Sequence, residues 1–406
     1  MPLPFPASET TTGATVTPLP RVLRPQRALP SEAIRPTRAE VNMANLRHNL
    51  RVIERTAGPA RVWAVLKADG YGHGSKAIAR TLERAGVAGI CVALLEEGVE
   101  LREAGVRLPI LVMGGHYGRA WEELLHYDLT PVLHDAGQLD MLAAEIRYAK
   151  CSPLDVHVKV DTGMSRLGVM PRELDAFARA AAARPEVCIR GLMTHLACAD
   201  SGEVAAIEHQ LSLFEDASGV LSRHGLRPSI RHAANSAALF AAERARYDVV
   251  RPGIALYGVE PAPGTSAELR PCMSVRTEVV ALRSVRAGQP VGYGATWIAQ
   301  RPSRIATVPI GYADGLHRAL SNRGRVLVRG KSAPLAGVVS MDMTMVDVTD
   351  VDGAAVGDEC VVVGTQKGPL GQDTITVEEV AATIESIPWE VLTSISRRVP
   401  RFYREP

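Results

Sequence analysis

Between Val62 and Tyr257, short apolar runs alternate with stretches of helical periodicity, and this alternation restricts the fold more than any other feature. "VWAVL" is followed by the amphipathic "SKAIARTLERAG", and "GICVAL" by "EEGVELREAG". "LPILVMGG", "LTPVLH", "LDVHVKVDTG", "IRGLMTHLA", "PSIRHAAN" and "YDVVRPGIALYG" continue the strand series. "LDMLAAEIRYAK", "ELDAFARAAAA", "AIEHQLSLFEDASGVLSRHG" and "SAALFAAE" supply helices between them. Strands separated by helices lie parallel, because the helix returns the chain to the edge it started from. Roughly eight such strands predict a closed (β/α)8, TIM-like barrel. The alternative is an open doubly wound sheet. That fold favours a G-x-G-x-x-G fingerprint, which "GYGHG" lacks.

The pattern changes after about Pro261. "MSVRTEVVALRSV", "SRIATVPIGYADG", "RVLVRG", "SAPLAGVVSMDMTMVDVT" and "ECVVVGT" are short β-rich runs between glycine turns, and helical spacing returns at "TVEEVAATIESI". The chain therefore divides into an α/β barrel over 36–264 and a mostly antiparallel β domain over 265–406. Within the first, apolar residues at helical spacing run from Asn42 to a stop at Gly58. Residues 1–35 are rich in Pro, Thr, Ser and Ala and lack the continuous apolar core of a secretory signal. They are expected to be a disordered N-terminal extension.

Composition narrows the partners. The chain is 46% hydrophobic, enough for sizeable cores, and its formal net charge is only +2. Nucleic-acid binding wants a concentrated basic face. No apolar stretch is long enough to span a bilayer. The expectation is a cytoplasmic protein acting on small molecules, with neither nucleic acid nor membrane as partner. Its six cysteines form no C-x-x-C pair. They read as free thiols in a reducing compartment, with no metal site.

Barrel chemistry sits where strands end. The polar residues that close apolar runs are Lys67, Lys159 with Asp161 and Arg166, His195, His232 with Asn235 and Ser236, and Arg251. A lysine at a strand end can be a snorkelling surface residue. Lys67, however, is followed by Gly70, Tyr71, Gly72 and Gly74, a loop able to approach a ligand closely. A desolvated lysine has a lowered pKa and can form a Schiff base with an aldehyde, which suggests pyridoxal phosphate. Asn235 and Ser236 at a helix start, and Gly253 after the last strand, would suit its phosphate. His157, Lys159 and Asp161 alternate along a strand that has no solvated face, so they must be paired or functional. His195 alone could be a satisfied core histidine, and Tyr293 in "VGYGATW" a turn residue.

Taken together, "AVLKADGYGHG", "HVKVDTGMSRLG", "GLMTHLACAD", "HAANSAA", "VRPGIALYG", "VGYGATW", "IGYADG" and "VSMDMTMVDVT" resemble alanine racemase, a fold-type III pyridoxal-phosphate enzyme. The resemblance runs from about residue 36 to the end. It implies that Lys67 is the Schiff-base lysine and the base on one face of the substrate. Tyr293 is then the base on the other face, reaching in from the partner of a homodimer. Tyr71, Ser236 and the backbone of Gly253 and Ile254 match the phosphate cradle, with Asn235 beside it. Arg251 matches the arginine at the pyridine nitrogen, and His195 and His232 a hydrogen-bond chain from Arg251 towards Tyr293. Arg166 and the Met341 backbone match substrate-carboxylate contacts, Tyr312 an entrance wall, and Lys159 a lysine that can be carbamylated. His73 has no role in this scheme and reads as structural.

The implied activity is interconversion of L- and D-alanine by two bases, supplying D-alanine for peptidoglycan. In "SISRRVPRFY", Arg397 is taken to stand where many members carry a gate tyrosine. That change would recharge the pocket entrance and leave a broader amino-acid racemase, serine included, as an alternative. A decarboxylase of the same plan would want a cysteine motif in the β domain, for which Cys360 is a poor substitute. A non-catalytic pyridoxal-phosphate carrier would lack a β domain with Tyr293.

Overall fold

The computed structural model describes residues 34–114, 120–262, 264–265 and 268–405. All of the expected extension except Ile34 and Arg35 lies outside the described residues. Arg35 makes a two-pronged ion pair with the buried Asp314, at 2.9 and 2.7 Å.

The first strand, β1 (Arg38–Asn42), corrects the expected partition. The expected boundary at 36 places it with the barrel, yet it pairs antiparallel with Met273–Glu278 and parallel with Arg401–Arg404 in the C-terminal sheet. The reason is electrostatic. Glu40 is 5% exposed, and a buried carboxylate must be paired. Its partners are the guanidiniums of Arg38 at 2.9 Å, Arg404 at 2.8 Å and Arg276 at 3.5 Å. The last two come from the flanking C-terminal strands.

The barrel consists of β2 (Arg61–Val65), β3 (Gly89–Val92), β4 (Ile110–Val112), β5 (Thr130–Leu133), β6 (Leu154–Lys159), β7 (Val187–Met193), β8 (Ile230–His232) and β9 (Val249–Val250). These eight parallel strands run in the order β8–β7–β6–β5–β4–β3–β2–β9. The seam between β8 and β9 is bridged by the N–H of Asp248 to the Arg231 carbonyl and of Arg251 to the Ala234 carbonyl, both 3.0 Å. Ala64, Ile90, Leu111, Val132, Val158 and Leu192 are all essentially inaccessible. Burial on both faces makes parallel strands read as continuous apolar runs.

The helix Met43–Ala57 buries Met43, Leu46, Asn49, Leu50, Ile53 and Ala57 along one face. The Asn42 side chain accepts from the Asn45 N–H, and Gly58 at φ 63° ends the helix. Asn49 fastens it beside the barrel by donating to the Leu256 and Arg270 carbonyls, at 3.0 and 2.8 Å.

The C-terminal domain is mostly β. Its seven-stranded sheet runs Lys331–Pro334, Arg325–Val328, Glu359–Gly368, Met273–Glu278, β1, Arg401–Arg404, with Gly371–Ile375 paired to Glu359–Gly368. A smaller sheet joins Ala281–Val285, Ser303–Val308 and Thr344–Asp347. The short helices Val377–Thr383 and Pro388–Ser394 bring this domain back towards the barrel.

Candidate active site

At the end of β2 the chain makes a tight left-handed turn. Ala68, Asp69, Gly70 and Tyr71 have φ of 52°, 54°, 62° and 51°. Left-handed backbone is disfavoured outside glycine by roughly 1–2 kcal/mol per residue, so the turn needs external support. His73 supplies part of it. Its Nδ1 lies 2.8 Å from the Tyr71 carbonyl and 3.1 Å from that of Gly70. Both partners are acceptors, so Nδ1 carries the proton. Nε2 is buried without a partner. Full burial holds the imidazole at about 4, so it is neutral at pH 7. Its ring packs on Tyr257, centroids 4.6 Å apart. His73 is thus the pin of the turn.

The glycines of this loop answer to different neighbours than the sequence implied. A Cβ on Gly72 would overlap the Leu392 carbonyl, and one on Gly74 the Tyr403 hydroxyl. They make room for the C-terminal domain, not for a ligand.

Lys67, half-buried, faces a cavity of about 270 Å³ lined also by Tyr71, His195, Asn235, Ser236, Arg251, Gly253 and Ile254. Eight sequence-predicted residues therefore meet in one place. Desolvation, then the Arg166 charge, pulls the Lys67 amine below its ordinary value, and Glu97 opposes them. Arg251 is buried and fully oriented. It donates to His232 Nδ1 at 2.7 Å, to the Thr194 carbonyl at 2.8 Å and to the Ala233 carbonyl at 3.1 Å. Burial lowers its pKa to about 10, which leaves it charged at neutral pH.

Guanidinium only donates, so His232 Nδ1 is the acceptor and its Nε2 carries the proton. That proton points to His157 Nδ1, 2.8 Å away. From Arg251 the chain thus runs through His232, as expected, and on to His157 in the barrel interior, whose ring lies 5.4 Å from that of Trp63. His157 as its next member was not among the expected links. His195 stays in the cavity wall. Burial and then the Arg251, Lys159, Arg166 and Lys67 charges push it down to about 3.

The anion-binding end is equally specific. Asn235 caps the helix Ser236–Ala241 by accepting from the Ala238 N–H at 2.9 Å. Ser236 Oγ accepts from the N–H of Gly253 at 2.8 Å and of Ala255 at 3.4 Å. A Cβ on Gly253 would overlap the Tyr71 hydroxyl. Here a glycine does allow close approach, and the first-turn N–H groups remain for a ligand. The donor set suits a small phosphate at one end and an aldehyde at the lysine.

Asp161 lies just past β6 and does not simply continue its face. One carboxylate oxygen accepts from the N–H groups of Gly163, Met164 and Ser165 at 2.9, 2.9 and 3.1 Å. It shapes the loop that carries the exposed Arg166. Lys159 is buried, and desolvation followed by the Arg166 and Arg251 charges lowers it to about 8.

Lys159, Arg166 and His232 do not line this cavity, and three further residues are not brought to it within one chain. Tyr293, Tyr312 and Met341 are 74%, 42% and 51% exposed on the C-terminal domain. Arg397 is also elsewhere. It lines a second cavity behind the Lys67 turn, with Asp69, Glu97 and Arg401. The residue of that region that does line the Lys67 cavity is Trp389, at the start of the helix Pro388–Ser394. Trp389 and Glu97 escaped sequence reading because each sits on an amphipathic helix with nothing local to single it out.

Residues 41–261 match the family "Alanine racemase, N-terminal domain", and 272–403 match "Alanine racemase, C-terminal domain". The chain is 57% identical over 379 residues to the alanine racemase of Sorangium cellulosum, covering 92% of this chain and all of that protein. Its fold is similar to the crystal structure of alanine racemase from D-cycloserine-producing Streptomyces lavendulae, with a TM-score of 0.87 and 34% identity over 92% of this chain and 98% of that one. It is also similar to alanine racemase from Bartonella henselae with covalently bound pyridoxal phosphate, with a TM-score of 0.82 and 30% identity over 91% and 99% of the two chains.

Proposed function

Because this chain belongs to the alanine racemase family and is an amino-acid racemase, we propose that it interconverts L- and D-alanine with pyridoxal 5′-phosphate bound at Lys67. The observation that carries the reading is the single cavity that joins the Lys67 amine, the buried Arg251 and the glycine-lined helix start at Ser236. The cofactor, when bound, supplies an aldehyde for amines and a conjugated ring that spreads the charge left by the departing α-proton.

The chain's residues do the rest. Ser236, Tyr71 and the backbone at Gly253 and Ile254 hold the phosphate, with Asn235 fixing the helix start. Arg251 would face the ring nitrogen and, because it keeps its own proton, would donate a hydrogen bond there without protonating it, which would temper the ring's pull on electrons. Lys67 takes or returns the α-proton on one face. Its lowered pKa keeps more of the amine free to act as a base. Tyr293 of a second copy acts on the opposite face, the Met341 backbone N–H of that copy donates to the substrate carboxylate, and its Tyr312 walls the entrance. Their exposure in one chain supports a shared site. Arg166 receives the substrate carboxylate. Carbamylation of Lys159 would replace its charge by a negative one and remove its repulsion with Arg166. The product, D-alanine, would serve peptidoglycan assembly in the cytoplasm.

The test is direct. The purified protein should show the visible absorbance of lysine-bound cofactor. Borohydride should fix that cofactor on the Lys67 peptide, and L-alanine should yield D-alanine. Absence of the absorbance defeats the cofactor reading. Absorbance without D-alanine defeats the alanine assignment alone.

A further inference from the structure

We propose that Glu97 is a positioning residue for Lys67, its carboxylate clamping the first peptide of the left-handed turn that presents the amine. The proposal rests on the reading of Lys67 given above.

The turn has two ends to secure. The far end is held by His73 on the Gly70 and Tyr71 carbonyls and by Asp69, which accepts from the Ser75 N–H at 2.8 Å. The near end is the Ala68 N–H, one bond from the Lys67 carbonyl carbon. Its acceptor is Glu97 Oε1 at 2.6 Å. The other oxygen, Oε2, accepts from the N–H of Ala93 at 2.8 Å and of Leu94 at 3.1 Å. These follow β3. One carboxylate thus bolts the catalytic end of β2 to the neighbouring end of β3, while capping its own helix, Leu95–Glu103.

Glu97 does not line the Lys67 cavity. It lines the cavity behind the turn, among Asp69, Glu96, Glu100, Arg397 and Arg401. It therefore acts through Lys67 and does not touch the substrate. Its charge matters as well. Burial, and then the Arg166 charge, disfavour a charged amine. Glu97 is the anion that favours it. Place and protonation of Lys67 meet at one side chain.

Two variants separate the effects. In Glu97→Gln, one amide end must face an N–H, either that of Ala68 or those of Ala93 and Leu94, whichever way the amide turns. Both the clamp and the charge are lost. Glu97→Asp keeps the charge but is one methylene too short to span both sites. The first measurement is the pH midpoint of Lys67 acylation in the cofactor-free full chain, read by peptide mass, which needs neither racemisation nor cofactor. The second is alanine racemisation by the holoenzyme.

Glu97→Gln should lower the midpoint by about 0.5 pH unit or more, and Glu97→Asp should leave it near wild type. Both should lose about tenfold in kcat with KM little changed. An unchanged midpoint in Glu97→Gln overturns the proposal, as does a lowered midpoint with wild-type kcat. So does loss of activity merely in proportion to the folded fraction. If Glu97→Gln does not fold, a folded Glu97→Asp with wild-type kcat is enough to overturn it. A wild-type chain that titrates at Lys67 yet does not racemise alanine sinks the functional reading, and leaves the clamp to be judged on the midpoint.

Discussion

Trp389 and Gly253 show how differently single residues yield to sequence reading. Gly253 was legible, since "RPGI" after the last strand announces a glycine at a barrel mouth, and a Cβ there would indeed strike Tyr71. Trp389 was not legible. In "IPWEVLTS" it reads as one apolar residue of a short helix, and only domain packing brings it to the Lys67 cavity. Its indole lines the cavity proposed for the substrate. Trp389→Ala should raise kcat/KM for L-serine relative to L-alanine by about tenfold, the scale of a modest change in pocket size. An unchanged ratio would show that the indole does not bound the substrate. Lys67 was legible because it closes an apolar strand and opens a glycine-rich loop, the place where barrel chemistry sits.

At the scale of elements, the turn after β2 is the informative case. Its glycines predicted a loop, and the loop is there, but the partners of Gly72 and Gly74 belong to the distant helix Pro388–Ser394 and strand Arg401–Arg404. Gly72→Ala should destabilise the folded chain by about 2 kcal/mol or more, through overlap with the Leu392 carbonyl and the left-handed φ of 76°. A urea midpoint equal to wild type would mean the helix gives way freely. The barrel strands were legible because both their faces are buried. Strand β1 was misassigned because its partners are chosen by charge pairs around Glu40, and pairing across some 230 residues or more leaves no periodic trace.

For the molecule as a whole, the buried histidines set an acid limit. Burial lowers His73 to about 4 and His157 and His195 to about 3, and holds His232 well below its usual range. The unfolded chain takes up these protons near pH 6.5, while the folded chain does not. The histidines' contribution should therefore be level above pH 7 and fall as pH drops from 6.5 towards 4, by about 1.4 kcal/mol per unit for each histidine. Equal urea midpoints at pH 7.5 and 5.5 would contradict this. The shared-site reading makes its own demand at this scale. Lys67→Ala and Tyr293→Phe chains, each inactive alone, should recover about a quarter of wild-type activity when mixed and allowed to exchange, because half the dimers are mixed and half their sites intact. No recovery would place both bases on one chain. Periodicity and local chemistry settled the fold class, the lysine at a strand end and the helix caps, because each depends on residues close together along the chain. The turn's supports, the relay from Arg251 to His157 and the tryptophan over the cavity depended on the tertiary structure. Each joins side chains far apart in sequence, and burial and charge pairing act on distance in space.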